Sequence, residues 1–551
     1  MENEFDNRRR AASQPGNAPR KPRPAGSQPP SGRSSQGQAT PRPAQSAQGR
    51  TNPRPAQSTR PANPASRPVQ PANRSSSSKR GGKYARKPVR RVPGGLVAAL
   101  IAVLVLLAIA VGAMVLLNRS GKSDTPNTPQ ESTAPPTWAQ PTETEPPTEE
   151  TTLPEPEHEV AKATVSSTGD ILMHMPVVDT GLQSGGGYNF DSIFQYLGEY
   201  SGSADYAVAN LETTLCGTDN GFPYKGYPNF NCPDEIVDAL KNAGFDMLLT
   251  ANNHSYDTTL VGYKRTLEVV RGKGLATLGT YLSADETKWT VQEINGIKIG
   301  MLCYTYADAV GPKGNPRLNL NSEISESGLC NFFLYDNLGA FYTEVQGYLD
   351  AMKEAGAEAT IMYIHWGIEY QLTQNSNQSA IAQKLCDMGI DVIVGGHPHV
   401  VQPIELLTST EDPNHKTVCL YSMGNAVSNQ RQGNLSAIST AHTEDGVLFS
   451  ATFSKYSDGT VYLDDVSLIP CWVNLTTSPK QYVILPLDNS TRDQWQEKYQ
   501  LGDTTLAAAQ RSYDRTIAIV GDGLSASQDY LAQQRQARDD AYEAAIYDNA
   551  A

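Results

Sequence analysis

The run Leu96–Leu117 (LVAALIAVLVLLAIAVGAMVLL) holds no charged residue over 22 positions, and it constrains the rest of the chain more than any other feature. As a helix rising ~1.5 Å per residue it is long enough to cross a hydrocarbon layer of roughly 30 Å. A core helix of a soluble domain would carry a polar face, and the apolar stretch of a cleaved leader usually runs only about 7 to 15 residues before a small-residue cleavage site. Neither pattern is present. Residues 94–118 therefore read as a transmembrane helix. Lys79, Arg80, Lys83, Arg86, Lys87, Arg90 and Arg91 precede the run, while only Arg119 and Lys122 closely follow it. The basic flank stays in the cytoplasm. The expected topology is single-pass in the cell membrane, with the N-terminus inside and the C-terminal part outside.

The two sides of that helix differ in composition. Residues 1–93 carry 20 Lys+Arg against 3 Asp+Glu, and this balance of +17 leaves −30 for the remainder of a chain whose net charge is −13. With near-repeats such as TPRPAQSAQ and NPRPAQSTR and few large apolar side chains, the head cannot offset the entropy of ordering and reads as a disordered basic cytoplasmic tail. Its basic cluster suits anionic lipid at the bilayer surface, and no nucleic-acid partner is expected. Residues 119–159 turn to Thr, Pro and Glu (TETEPPTEETTLPEPEHE), a composition that favours an extended, self-repelling stalk. The seven cysteines show no C-x-x-C spacing, which excludes a thiolate metal site of that kind. Cys216 and Cys232 are spaced to close a loop, and buried free thiols satisfy the same pattern.

Only the part from about Val160 onward can bury a core. There short apolar runs (ATVSSTGDILM, ADYAVANLE, FDMLLTANNH) alternate with helix-like segments (FDSIFQYLGEY, PDEIVDALKNAG, LVGYKRTLEVVRGKG), the signature of a layered α/β domain. Asn295-Gly296 marks a hairpin. Further on, helices near Ala340–Glu354 and Ser379–Met388 flank the strands ATIMYIH and IDVIVGG, and more strands reach Ile469, with a last one at Tyr482–Leu485. The fold class expected is α/β: a β-sandwich flanked by helices over residues 160–487. Residues 488–551 form a helical extension, with helices at Asp503–Tyr513 and Ser525–Tyr547 packed against the domain.

Chemistry concentrates at the strand ends. Asp170 closes one strand, Asn210 and Glu212 a second, Asn252, Asn253 and His254 a third, His365 a fourth, and His397 and His399 a fifth. In a layered α/β domain the carboxyl ends of strands open on one edge, where groups distant in sequence converge. Mixed carboxylate and imidazole donors suit zinc, manganese or iron, whereas an all-oxygen set would suit magnesium or calcium. Pro398 restricts the turn between His397 and His399, and Gly395-Gly396 permits close approach. His174 is either a further ligand or a strand-end residue. Gly185-Gly186-Gly187 reads as a loop hinge, because no Lys-Ser/Thr follows to complete a phosphate loop. Lys225 and Trp366, beside these motifs, are candidates for substrate contact or for ordinary loop and packing roles.

The order Asp170, then N-L-E, N-N-H, H-W-G, G-G-H-P-H and the S-M-G-N segment ending at Asn425 resembles the CapA family, which is tied to poly-gamma-glutamate capsules. That family is in turn similar to the calcineurin-like metallophosphoesterases. The resemblance covers about Val160 to Ile469. It implies two divalent ions, with Asp170 and His399 on one, Asn253, His365 and His397 on the other, Glu212 bridging them, and His254 as acid or substrate-positioning group. Asn425 would shape the site wall. Two departures stand out: Leu172 occupies the position where the phosphoesterases carry the His of D-x-H, and N-L-E replaces G-D-x-x-D, which thins the donors for the first ion.

The resemblance further implies a role in synthesis, export or anchoring of poly-gamma-glutamate or another anionic surface polymer, in company with membrane synthase subunits. Two other readings follow from the same residues. One is a metal-dependent surface hydrolase of phosphoesters or of the polymer itself. The other is a non-catalytic scaffold of a polymer synthase. An acidic body repels a polyanion within a Debye length of ~8 Å, so under the first reading the ions must supply the positive charge.

Overall fold

The computed structural model describes residues 156–434 and 439–550. The basic head, the apolar run and most of the stalk lie outside the described residues, and among those described no helix is long and apolar enough to cross a membrane.

From its first strand the chain alternates as its pattern predicts. Strands β1 (Glu159–Ile171), β2 (Tyr206–Leu211), β3 (Met247–Leu249) and β4 (Ala276–Leu278) are joined through helices that include Glu235–Asn242 and Thr259–Gly272. The hairpin β5 (Thr290–Ile294) and β6 (Ile297–Tyr306) turns at Asn295 and Gly296, with φ of 50° and 83°, as a two-residue turn with both φ positive requires. Three two-residue strands follow, β7 (Ala309–Val310), β8 (Pro316–Arg317) and β9 (Phe332–Phe333), then the helix Leu338–Glu354 and β10 (Ala359–His365). The helix Ser376–Asp387 starts at a capping box in which the Asn375 side chain accepts from the Gln378 backbone and Gln378 answers on the Asn375 N–H. After it come β11 (Val392–Gly396), β12 (Ile404–Thr408), β13 (Lys416–Leu420), β14 (Asn425–Val427), β15 (Asp445–Tyr456), β16 (Val461–Leu475) and β17 (Tyr482–Pro486).

Apart from β7 and β8, which pair only with each other, these strands form two large sheets. The first runs β17-β16-β15-β1-β2-β3-β4 with β14 beside β1, and the second runs β12-β13-β11-β10-β6-β5 with β9 beside β6. Strand β1 is parallel to β2, β2 to β3 and β3 to β4, and in the second sheet β6, β10, β11 and β13 are likewise parallel. The period of two explains the layering. In β10, Ile361 and Tyr363 face the core between the sheets, while Met362 and Ile364 face outward under the helices with Phe341, Val345, Ile381 and Leu385. In β2, Val208 faces the inner core, and Ala207, Ala209 and Leu211 pack outward with Ile236, Val237 and Leu240. Each sheet is therefore buried on both faces, which is why the strands read as apolar runs. The fold is a mixed α/β one of two sheets with helices outside.

The C-terminal part departs from expectation. Residues 503–550 are one helix of 48 residues rather than two segments. Gly521 and Gly523 suggest a break in sequence, but a Cβ on Gly523 would lie 1.8 Å from the Ile404 carbonyl oxygen. The glycine lets the helix lie close on β12 instead of ending it. The extension packs on the domain as expected. All seven cysteines are free, so Cys216 and Cys232 are unbridged and both buried.

Candidate metal centre

The carboxyl ends of β1, β2, β3, β10 and β11 meet at one edge, and they deliver Asp170, Glu212, Asn253, His365, His397 and His399 to a single buried cluster. Two groups within it are spaced to hold an ion, Asp170 with Glu212 and His399, and Glu212 with His365 and His397; in each, the ligand atoms lie within 4.8 Å of one another. Glu212 belongs to both.

Local structure explains the convergence. A Cβ on Gly395 would fall 2.0 Å from the Tyr421 carbonyl, so only glycine fits there, and one on Gly396 would fall 3.0 Å from Asp170 Oδ1 and crowd that carboxylate. His397 and His399 then adopt φ of 95° and 56°, left-handed values that cost of order 1 to 3 kcal/mol in a non-glycine residue and persist where the surroundings enforce them. The His397 backbone N–H donates to Asp170 Oδ2 at 3.2 Å.

Asp170 is densely bonded. It accepts from Asn210 Nδ2 at 2.7 Å and pairs with His399 Nδ1 at 3.1 Å. Asn252 Nδ2 in turn donates to Asn210 Oδ1 at 3.1 Å. Asn425 Oδ1 lies 3.1 Å from His399 Nδ1, and its amide donates to the His399 carbonyl and to the Thr443 carbonyl. Burial alone would raise the Asp170 carboxyl, yet the His399 hydrogen bond and the His365 and His399 charges outweigh it and hold the group below the usual carboxylate range. The converse holds for His399, where burial is outweighed by the Asp170 bond and charge and the ring is raised.

On the other side, His365 Nε2 meets Asn253 Oδ1 at 2.9 Å, and His397 Nδ1 is buried without a partner. Burial brings His365 down to about 3 and takes His397 well below its ordinary value, with the neighbouring imidazoles acting in the same direction on His397. Both rings are therefore held toward the neutral form, and His397 Nδ1 keeps a lone pair that no protein group engages.

Glu212 tests whether the cluster fits an ion. It is fully buried, and neither carboxylate oxygen has a hydrogen-bond partner. Oε1 faces imidazole Nε2 atoms at 3.5 Å (His365), 3.9 Å (His254) and 4.0 Å (His399). These separations exceed hydrogen-bond length, but they match two donors that each stand ~2.0 to 2.2 Å from a shared cation. Burial first, and then the Asp170 and Glu369 charges, push the Glu212 carboxyl well above its ordinary range. A dication removes that penalty, so the residues present fit the group.

The remaining candidates take other places. His254 lies on the turn after β3 with Nδ1 2.7 Å from Asp257 Oδ2. His174 joins neither donor group; Nδ1 lies 3.2 Å from the Leu172 carbonyl and accepts the Asn429 backbone N–H at 3.3 Å, and burial brings the ring down to about 4. Trp366 is fully buried, stacked on Tyr421 with its indole N–H on the Tyr421 carbonyl, a packing role rather than a site wall. Lys225 is exposed, on a loop whose backbone pairs with Asn231 next to Phe230, which touches the His174 and His254 rings. Sequence reasoning missed Asp257, Tyr306, whose ring lies 4.8 Å from that of His397, and Tyr370, 6.2 Å from that of His399. Only Asp257 carried a signal, the N-N-H-x-x-D spacing.

Residues 164–430 match the family described as bacterial capsule synthesis protein PGA_cap. A capsule biosynthesis protein CapA of Bacillus anthracis is 27% identical over 339 residues, 60% of this chain and 72% of that relative. A PGA biosynthesis protein CapA of Bacillus subtilis (strain 168) is 30% identical over 269 residues, 48% of this chain and 63% of its own length, less than two thirds of it. The solved structure of the protein TT1561 of Thermus thermophilus aligns with 52% of this chain and 93% of its own at 9% identity and a TM-score of 0.28.

Proposed function

Because residues 164–430 belong to the CapA family, we propose that the chain acts at the cell envelope in synthesis, export or anchoring of poly-gamma-glutamate, through a divalent-metal centre. The observation that carries this reading is Glu212, a carboxylate with both oxygens buried and unpartnered, shared by two clusters of donors.

Divalent ions held there would supply Lewis acidity and acidify a water molecule at neutral pH. Asp170 and His399 would hold one ion, His365, His397 and Asn253 the other, with Glu212 between them. The chain's own groups do the rest. Asn210 and Asn425 fix the directions of Asp170 and His399, and His254 presents Nε2 toward the same space, 3.9 Å from Glu212 Oε1. Such a centre is suited to hydrolysis of a phosphoester or of an amide link in an anionic polymer. It also offsets the repulsion between that polymer and an acidic domain. Leu96–Leu117 as membrane anchor belongs to the same proposal.

The test uses the purified full chain. Elemental analysis should find manganese, zinc or iron, and turnover of a phosphodiester or of poly-gamma-glutamate should vanish in Asp170→Asn and in His397→Gln. A wild-type chain that binds no divalent metal, or whose turnover survives both substitutions, would sink this reading.

A further inference from the structure

The C-terminal helix sends two side chains to one buried carboxylate. Asp445, 2% exposed, takes Ser512 Oγ on Oδ1 at 2.6 Å and the Arg515 guanidinium on both oxygens, Nη2 to Oδ1 at 2.7 Å and Nε to Oδ2 at 2.8 Å. A guanidinium that donates two parallel hydrogen bonds to a carboxylate fixes its direction as well as its distance. Asp445, Ser512 and Arg515 all lie beyond the residues 164–430 that match the capsule synthesis family.

The backbone around Asp445 is pressed onto the segment that supports two of the donors. A Cβ on Gly424 would fall 2.7 Å from the Asp445 carbonyl oxygen, and one on Gly446 would fall 2.2 Å from the Asn425 carbonyl oxygen, so neither segment has room to slip past the other. The Asn425 amide donates to the Thr443 carbonyl at 3.0 Å, and Asn425 Oδ1 lies 3.1 Å from His399 Nδ1. The Gly424 carbonyl accepts the Asp170 backbone N–H at 3.0 Å. Gly424 and Asn425 thus support Asp170 by its backbone and His399 by its ring, and residues 443–446 support Gly424 and Asn425 in turn.

We propose that Asp445, held by Ser512 and Arg515, is a positioning residue for the Asp170–His399 side of the metal centre, which makes the C-terminal helix part of the centre's support. That an ion sits there rests on the proposed function above; the hydrogen-bonded path from Arg515 to Asp170 and His399 does not.

The test compares the full chain with Arg515→Met and with Arg271→Met, the second cutting an ion pair to Glu286 at 2.9 Å on the helix Thr259–Gly272. Manganese affinity is read by titration calorimetry well below the unfolding midpoints, where a loss of stability alone leaves affinity unchanged. Arg515→Met should weaken manganese binding about 10- to 100-fold, the range for groups that orient metal ligands, while Arg271→Met binds as the wild type does. In the metal-free chains, amide hydrogen exchange over residues 168–172 and 423–428 should quicken in Arg515→Met and not in Arg271→Met. Wild-type affinity in Arg515→Met, an equal loss in both variants, or unchanged exchange over those segments would overturn the proposal. If Arg515→Met fails to fold, Ser512→Ala, which removes one donor from the same carboxylate, decides in its place, with smaller shifts expected in the same directions. A wild-type chain that binds no divalent metal removes the functional reading alone, since the exchange pattern still decides whether Arg515 holds the strand segments behind Asp170 and His399.

Discussion

The two halves of the cluster are built differently. In the Asp170–His399 half both carboxylate oxygens and one ring nitrogen are engaged: Asp170 by Asn210, His399 and the His397 backbone, and His399 Nδ1 by Asp170 and Asn425. In the His365–His397 half, His397 Nδ1 is unpartnered and both rings are held neutral by burial. One half is wired to stand without an ion. The other pays desolvation for a ring nitrogen, His397 Nδ1, that no protein group satisfies, so the first half sets geometry and the second depends on the ion.

The sharpest way to break this contrast is through the residue both halves share. Glu212→Gln should lower affinity for divalent metal more than ~1000-fold, about 4 kcal/mol, in titration calorimetry. It should leave the metal-free chain as stable or more so, because a buried carboxylate without partners is removed. Retained metal at one half would show that Glu212 is not shared.

Next in size, Asp170→Ala should cost the metal-free chain about 3 to 5 kcal/mol by denaturant unfolding, since it strands a raised His399 in the interior. His397→Gln should cost about 1 kcal/mol or less, because no hydrogen bond to its Nδ1 is lost. Equal losses would erase the distinction between the halves.

The pH response of the metal-free chain should separate them too. His365 falls from an ordinary 6.5 to about 3 on folding. Across that window the unfolded chain binds a proton that the folded chain refuses, so stability is lost as pH falls from 6.5 toward 3, by a few kcal/mol at ~1.4 per unit. His399 is raised instead, and its contribution is full below 6.5 and lost as pH rises through its folded value. His365→Gln should flatten the acid arm and His399→Gln the alkaline one; unfolding midpoints against pH decide. A smaller effect than at Asp170 is expected at Asn425→Ala, about 1 to 3 kcal/mol for leaving His399 short of a partner, seen as a lower unfolding midpoint with metal still bound.

Much of the site was legible because strand ends have a sequence address. The apolar runs before Asp170, Glu212, Asn253, His365 and His397 stop where the polar donors begin, and parallel strands carry those ends to one edge. Which way a side chain turns has no such address. Trp366, next to His365, points into the outer core, and Tyr306 and Tyr370 turn their rings toward His397 and His399 with nothing in the motifs to mark them. His174, close in sequence to Asp170, belongs to the start of the helix Met175–Gly181 instead. The single C-terminal helix was not legible because glycine in a helix signals both a break and a close contact, and only the position of Ile404 separates the two.

That helix has a consequence for the ions. It clasps Asp445 through Ser512 and Arg515, lies on Ile404 at Gly523, and grips Asp464 through Arg535 and Arg538, so it splints β15 and β16 to β12. Asp170 and Glu212 come from one sheet of that splinted pair, and His365, His397 and His399 from the other. The jaws that would close on a cation thus keep their gauge through a brace fastened along the flank of the sandwich, and cutting the chain before Asp503 should widen the bite without touching a single donor.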